Sequence, residues 1–137
     1  MTCFVVVDKV VYVASEVSAT VDISDYSQGF VASHRDYPAF YQNNINSTLK
    51  LTGLNTKPTN LTFTVFSLDG KNCSDFLTLR FENRTRKLCG KRSPFTITNI
   101  RDDNIIFNFV TDKQEADRGF FISYKGMSHD GVLGYLD

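Results

Sequence analysis

The hydrophobic positions along this chain recur with a period of two, the repeat of an extended strand. In Leu61-Thr62-Phe63-Thr64-Val65-Phe66, the side chains of Leu61, Phe63 and Val65 share one face. Leu77, Leu79 and Phe81 do the same within Phe76–Phe81. Ile105, Phe107 and Phe109 alternate with Ile106, Asn108 and Val110, and Phe120, Ile122 and Tyr124 alternate with Phe121, Ser123 and Lys125. The runs are rich in β-branched and aromatic residues and are bounded by Gly, Asn, Asp and Pro, as strands are. Asp69-Gly70-Lys71-Asn72 and Cys89-Gly90, with Pro94 just beyond, carry turn chemistry. No segment sustains a 3.6-residue period with caps. Short strands separated by turn signals predict an all-β sandwich or barrel of antiparallel strands. There is no internal repeat, low-complexity tract or linker. The one compositional change falls near Thr20 to Asp25, where a Val-rich opening gives way to polar residues.

At 137 residues the chain suits one domain of ordinary size. With 42% hydrophobic and 22% charged residues it has the makings of a packed core rather than a disordered segment. Twelve Phe and six Tyr, with no Trp, supply large flat side chains to fill the space between layers. The formal net charge of zero argues against a dedicated nucleic-acid binder, which would be basic. No stretch approaches the ~20 apolar residues that span a bilayer, so no membrane insertion by this chain is expected. Cys3 to Ala14 is Val-rich, but Asp8 and Lys9 interrupt it and no basic residue precedes it, so it reads as a first strand rather than a secretory signal. For a secreted protein, the export signal would then lie outside this chain.

Cysteines stand at Cys3, Cys73 and Cys89, an odd count that leaves one thiol over in a secreted protein. Cys73 and Cys89, 16 positions apart, are the natural pair, and closing a loop of that size is worth about 3 kcal/mol in the chain-entropy account. Cys3 is then free or paired with something outside the chain. Four N-glycosylation acceptor patterns begin at Asn46, Asn60, Asn72 and Asn83. The Asn72 pattern has Cys73 as its middle residue, which makes it the least dependable. Acceptors and cysteine pair together point to an oxidising, extracellular setting, either as a secreted protein or as the ectodomain of a membrane protein.

From about Asp22 to Gly126 the chain resembles the CUB domain family. Ser33-His34-Arg35-Asp36-Tyr37-Pro38-Ala39-Phe40-Tyr41 is similar to the family's early Ser-Pro-Asn-Tyr-Pro…Tyr stretch. Phe66-Ser67-Leu68-Asp69 followed by Cys73-Ser74-Asp75-Phe76-Leu77 resembles its central Phe-x-Leu-Glu…Cys-x-x-Asp-Tyr-Leu segment. Leu88-Cys89-Gly90, Phe109-Val110-Thr111-Asp112 and Gly119-Phe120-Phe121-Ile122-Ser123-Tyr124 match its later pieces in order. The resemblance implies a jelly-roll-like sandwich of two antiparallel sheets, with residues 22–126 as the domain, 1–21 as an extension or first strand and 127–137 as a tail. The chain departs from the family pattern in three ways. Ser47 stands where a further disulfide cysteine is usual, Leu49 replaces a Trp, and the spacings from Asp69 to Cys73 and from Cys73 to Asp75 are each one residue short.

Through the same resemblance Asp69, Asp75 and Asp112 become a candidate calcium site, helped by Tyr41. Calcium wants six to eight oxygens, and three carboxylates crowded together would otherwise repel one another. The plain alternative makes Asp69 a turn residue and Asp75 and Asp112 strand-end caps. A basic run, Arg84, Arg86, Lys87, Lys91 and Arg92 with Arg80 nearby, is either a patch for sulfated glycan or acidic protein or a solvated loop. Signals for catalysis fail: His34-Arg35-Asp36 lacks the rest of a kinase, and Ser128-His129-Asp130 are chain neighbours, whereas a triad is assembled from distant positions. The expected function is a non-catalytic extracellular module that recognises a protein or glycan through calcium-ordered loops. The other reading is an assembly module that homodimerises through a sheet face or Cys3 without a ligand site.

Overall fold

The computed structural model describes residues 9–54 and 57–126; Cys3, Ser128-His129-Asp130 and the tail 127–137 lie outside the described residues. The strands are β1 (Lys9–Tyr12), β2 (Ser18–Asp22), β3 (Gln28–Ala32), β4 (Asn46–Thr52), β5 (Thr59–Ser67), β6 (Phe76–Phe81), β7 (Arg84–Leu88), β8 (Lys91–Arg92), β9 (Phe95–Ile100), β10 (Ile105–Val110) and β11 (Gly119–Gly126). The remaining regular elements are the short 3₁₀ turns Val13–Ser15 and Lys71–Cys73. One sheet runs β1-β3-β11-β5-β8, with β9 also on β5, and the other runs β2-β4-β10-β6-β7.

The sequence predicted two antiparallel sheets, and the observed sheets are mixed. β1 runs parallel to β3, and β2 runs parallel to β4. The cause is the switch of sheets at Val13–Ser15. Because β1 and β2 lie in different sheets, neither pairs with its sequence neighbour, and each meets its partner only after the chain has crossed the molecule. Parallel pairing needs a connection of that length. Residues 9–21 thus supply an edge strand to each sheet, and Val11 and Val13 are buried in the core. The compositional change near Thr20 to Asp25 falls inside β2 and the hydrogen bond from Ile23 N–H to Thr52 O (2.9 Å) that extends its pairing.

The core lies between the layers, where the period-two faces predicted for β6, β10 and β11 are buried. Leu77, Leu79, Ile105, Phe107, Phe109, Phe120 and Ile122 are each 0% exposed. Each fully buried side chain of this size is worth about 1.5–3 kcal/mol. Phe109 meets Phe120 edge-on at 5.1 Å and Phe63 stacks on Phe95 at 4.5 Å, arrangements that suit the ring quadrupoles.

On β5 the expected face does not persist. Phe121 pairs with Val65, yet the next residue, Ile122, pairs with Phe63, so Thr64 is an extra residue on β5. This bulge breaks the alternation. Leu61 and Phe63 point inward as predicted, but Phe66 rather than Val65 joins the core beyond the bulge. The Thr64 hydroxyl, displaced from the ladder, donates to Phe121 O at 2.9 Å. We therefore expect Phe66→Ala to cost about 3–5 kcal/mol in chemical denaturation, and Val65→Ala to cost about 1 kcal/mol. Equal costs would contradict the bulge.

At the end of the sandwich where β6 turns into β7, Glu82 and Asn83 both have positive φ (54° and 60°), the geometry of a two-residue hairpin turn. Two carboxylates tie this turn to the β9–β10 connection. Asp102 Oδ2 accepts from Glu82 N–H at 2.6 Å, and Glu82 Oε2 accepts from Arg101 N–H at 2.6 Å. Both carboxyls are held below their ordinary values, Glu82 chiefly by the Arg101 N–H and Asp102 chiefly by the Glu82 N–H. A depressed folded-state pKa gives stability that is complete above the unfolded values of 4.5 and 3.8 and is lost as pH falls through the folded ones. Melting temperature should therefore drop between about pH 5 and about pH 3, and less steeply in Glu82→Gln.

Candidate functional site

The opposite end of the sandwich gathers three connections around one buried carboxylate. Asp75, immediately before β6, is 0% exposed. Burying a charge without partners costs several kcal/mol, and both oxygens of Asp75 have partners. Oδ2 accepts from the Tyr41 hydroxyl at 2.7 Å, and Oδ1 accepts from Asp112 N–H at 2.8 Å. The Tyr41 hydroxyl in turn accepts from Asp69 N–H at 2.9 Å. One chain of hydrogen bonds therefore links the β3–β4 connection (Tyr41), the β5–β6 connection (Asp69 and Asp75) and the β10–β11 connection (Asp112).

Each member is fixed by its own surroundings. Tyr41 is buried with its ring edge-on to Phe109 at 5.2 Å, and its N–H donates to Asp117 O at 3.0 Å. Asp112 O accepts from Asn44 N–H at 2.8 Å, and Asp112 Oδ1 accepts from Gln114 N–H at 3.0 Å. Cys73 and Cys89 form the predicted disulfide, with Cα atoms 5.4 Å apart. It clamps the β5–β6 connection, two residues before Asp75, to the β7–β8 connection. Asn72 and Cys73 take positive φ in this turn (55° and 53°), the tight bend that Asp69-Gly70-Lys71-Asn72 signalled.

The electrostatics follow from these contacts. Burial pushes the Asp75 carboxyl up, the Tyr41 hydroxyl and the Asp112 N–H pull it back, and the charge of Asp112 raises it again. Burial also drives the Tyr41 phenol well above its usual range. Asp112 is held low, first by the Gln114 N–H. Asp112 thus stays ionised beside a carboxylate that desolvation disfavours.

The structure brings Asp69, Asp75, Asp112 and Tyr41 to one end, but their carboxylates do not converge on a point. Among the described residues no group of three or more His, Cys, Asp or Glu side chains stands close enough together to hold a metal ion. Asp69, Asp75, Asp112 and Tyr41 offer only oxygens, which suits a hard cation. Asp75 and Asp112 each accept a backbone N–H instead, from Asp112 and from Gln114, and the two carboxylates raise each other's cost of ionisation.

Three of the glycosylation acceptors, Asn46, Asn72 and Asn83, are exposed, whereas Asn60 is half-buried with its Oδ1 accepting from Asn99 N–H at 2.9 Å. Sequence reasoning missed an open cleft of about 440 Å³ beside the Asp75 network. Phe40, Leu68, Asp69, Gly90, Lys91 and Asp117 line it. Phe40 is 64% exposed, and Lys91 Nζ stands 3.7 Å from Asp117 Oδ2 at the rim. The one signal for it was an aromatic residue in the turn-rich stretch Pro38-Ala39-Phe40-Tyr41.

A family model described as the CUB domain matches residues 21–124. The chain belongs to the CUB domain family. Such domains are generally non-catalytic binding modules of extracellular proteins. In sequence comparison no curated protein matches the chain. Among solved structures it is similar to the full extracellular region of zebrafish Gpr126/Adgrg6, at 21% identity and a TM-score of 0.64, covering 86% of this chain and 14% of that one. It is similar to the MASP-1 CUB2 domain bound to Ca2+, at 21% identity and a TM-score of 0.65, covering 73% of this chain and 93% of that one. It is also similar to the CUB1-EGF-CUB2 domains of rat MASP-1, at 18% identity and a TM-score of 0.67, covering 84% and 44%. At these identities the likeness is one of fold. This CUB domain spans about one seventh of the Gpr126/Adgrg6 chain and under half of the rat MASP-1 chain.

Within the CUB fold, the Tyr41 hydroxyl is the joint of the network. Tyr41→Phe leaves Asp75 Oδ2 and the Asp69 N–H short of a partner. It should destabilise the domain by about 1–3 kcal/mol, read from denaturant midpoints at unchanged m-value.

Proposed function

We propose that this CUB domain is an extracellular, non-catalytic recognition module that binds calcium at Asp69, Asp75 and Asp112 and presents the surrounding loops to a protein ligand. Secretion or attachment as part of a membrane protein's ectodomain would both place it where calcium is abundant and disulfides persist. The observation that carries this reading is the buried Asp75 carboxylate, set beside the ionised Asp112 and hydrogen-bonded to Tyr41 and the Asp112 N–H. A domain of similar fold, the MASP-1 CUB2 domain, has been solved bound to Ca2+, which supports this reading.

When bound, calcium would supply the positive charge that these carboxylates lack in their neighbourhood. The chain's own residues supply everything else. Tyr41 orients Asp75, and the disulfide holds the β5–β6 connection. Asp112, half-buried in the β10–β11 connection, supplies a second charge. The adjoining cleft, with Phe40 as an exposed aromatic wall and Asp69 and Asp117 as acidic ones, has the apolar-plus-charged character that anchors a partner side chain.

Millimolar calcium should raise the melting temperature by roughly 2–8 °C for an extracellular site of modest affinity. Calorimetry should show one site per chain, and Asp112→Ala should abolish both effects while leaving a folded domain. Absence of binding heat and of any thermal shift in the unsubstituted protein would remove the proposal.

A further inference from the structure

Of the basic run only Lys91, which lines the cleft, enters the function above; the placement of the rest in the fold is not what a solvated loop would give. Residues 76–100 carry six basic side chains and one acidic, a net +5. The other residues carry nine basic and fourteen acidic, a net −5, so the zero overall charge hides a segregation of sign. The six bases are Arg80, Arg84, Arg86, Lys87, Lys91 and Arg92, and all are exposed.

Register shows where they point. Directly paired residues on neighbouring strands share a face of the sheet. Arg84 is paired with Phe81, and Arg86 with Leu79, both buried core residues. Across the other layer, Arg92 is paired with buried Phe66. These three arginines therefore have inward-facing positions, yet they sit on edge strands, β7 of one sheet and β8 of the other. Only Cys89 and Gly90 separate those strands in sequence, so both edges border the same flank. The arginines fringe the open side of the sandwich from both layers. Lys87 and Arg80 extend the charge onto the outer face, where Lys87 Nζ lies 4.2 Å above the Phe76 ring.

Little answers this charge. Arg84 pairs with Glu82 at 2.8 Å, and Lys91 with Asp117 at 3.7 Å. Among the described residues no carboxylate forms an ion pair with Arg80, Arg86, Lys87 or Arg92. A single inward charge is enough to keep an edge strand from pairing with another chain. Bases on both edges and on both faces of β7 exceed that need and repel one another.

We infer that this flank binds a linear sulfated polysaccharide of the glycosaminoglycan class. Four of the six bases are Arg, whose planar fork suits a two-oxygen grip on sulfate as it does on phosphate. The β7 strand spans roughly 17 Å, so the charges form a track rather than a point. Arg84, Thr85, Arg86 and Lys87 are all exposed and polar, and they offer no apolar anchor of the kind a protein interface centres on. Apart from Lys91, which borders the cleft, the track is separate from the Asp75 network, and it needs no calcium.

The test measures binding of size-defined heparin oligosaccharides to the full, disulfide-bonded chain in EDTA, across a salt series. Binding should weaken steeply with salt, because each neutralised charge releases counterions. Arg86→Glu/Lys87→Glu should lose about tenfold or more in affinity and flatten the salt dependence. Arg86→Gln/Lys87→Gln, a milder change at the same exposed positions, should lose less but in the same direction. Lys50→Glu/Lys125→Glu, which removes equal charge elsewhere, should change affinity by less than about twofold. Desulfated heparin should not bind. Equal affinity for double-stranded DNA of matched length, equal loss in the Lys50/Lys125 control, or no binding at about 50 mM salt would each overturn the inference. Because the measurement is made without calcium, its failure leaves the calcium reading standing, and a failed calcium titration leaves this one standing.

Discussion

A carboxylate sealed from solvent has to be met by donors, and in this domain that requirement organises one whole end of the sandwich. Asp75 is reached by a phenolic hydroxyl from the β3–β4 connection and by an amide from the β10–β11 connection. The same hydroxyl takes the Asp69 N–H, so no one of the three segments can move far without leaving a buried polar group unpaired. The Cys73–Cys89 bridge restrains the same region covalently. Loops held this firmly keep one arrangement, and little ordering entropy would remain to be lost if a ligand bound there.

The body beneath that end is set by a different constraint. Two sheets bury alternate residues against each other, and a slip of one residue would turn every core side chain to solvent. Ile105, Phe107 and Phe109 on β10 lie between neighbours on both sides, β4 and β6, and pin the register of their sheet. In the other sheet the Thr64 bulge spends one residue to change which side of β5 faces inward, and this lets Phe66 reach Phe120. The flanks are finished by charge instead of by burial, which is why positions that belong to the core by register are occupied on β7 and β8 by arginine.

Much of this was legible along the chain, for reasons that differ from part to part. The faces of β6, β10 and β11 could be read because period-two alternation is a local property. The same rule failed on β5, because a bulge leaves no mark in the alternation beyond one more polar residue. The cysteine pair could be read from spacing, since a modest loop closes readily. Asp69, Asp75, Asp112 and Tyr41 were joined only by family resemblance; nothing in their spacing places Asp112 beside residues some forty positions earlier. The cleft beside Phe40 carried no signal strong enough to name, because its walls come from connections far apart in sequence.

Composition and alternation alone determined that this is one all-strand domain with an aromatic core, because hydrophobic period and turn chemistry act between near neighbours. They also marked the segment in which basic residues gather. Only the tertiary structure decided that β1 and β2 run parallel to their partners in opposite sheets, since that follows from where the chain crosses the molecule. It decided too that a buried carboxylate ties three loops together and that arginines on edge strands of both layers take positions that register assigns to the inner face. Those outcomes depend on contacts between distant residues, and such contacts exist only once the chain has closed on itself.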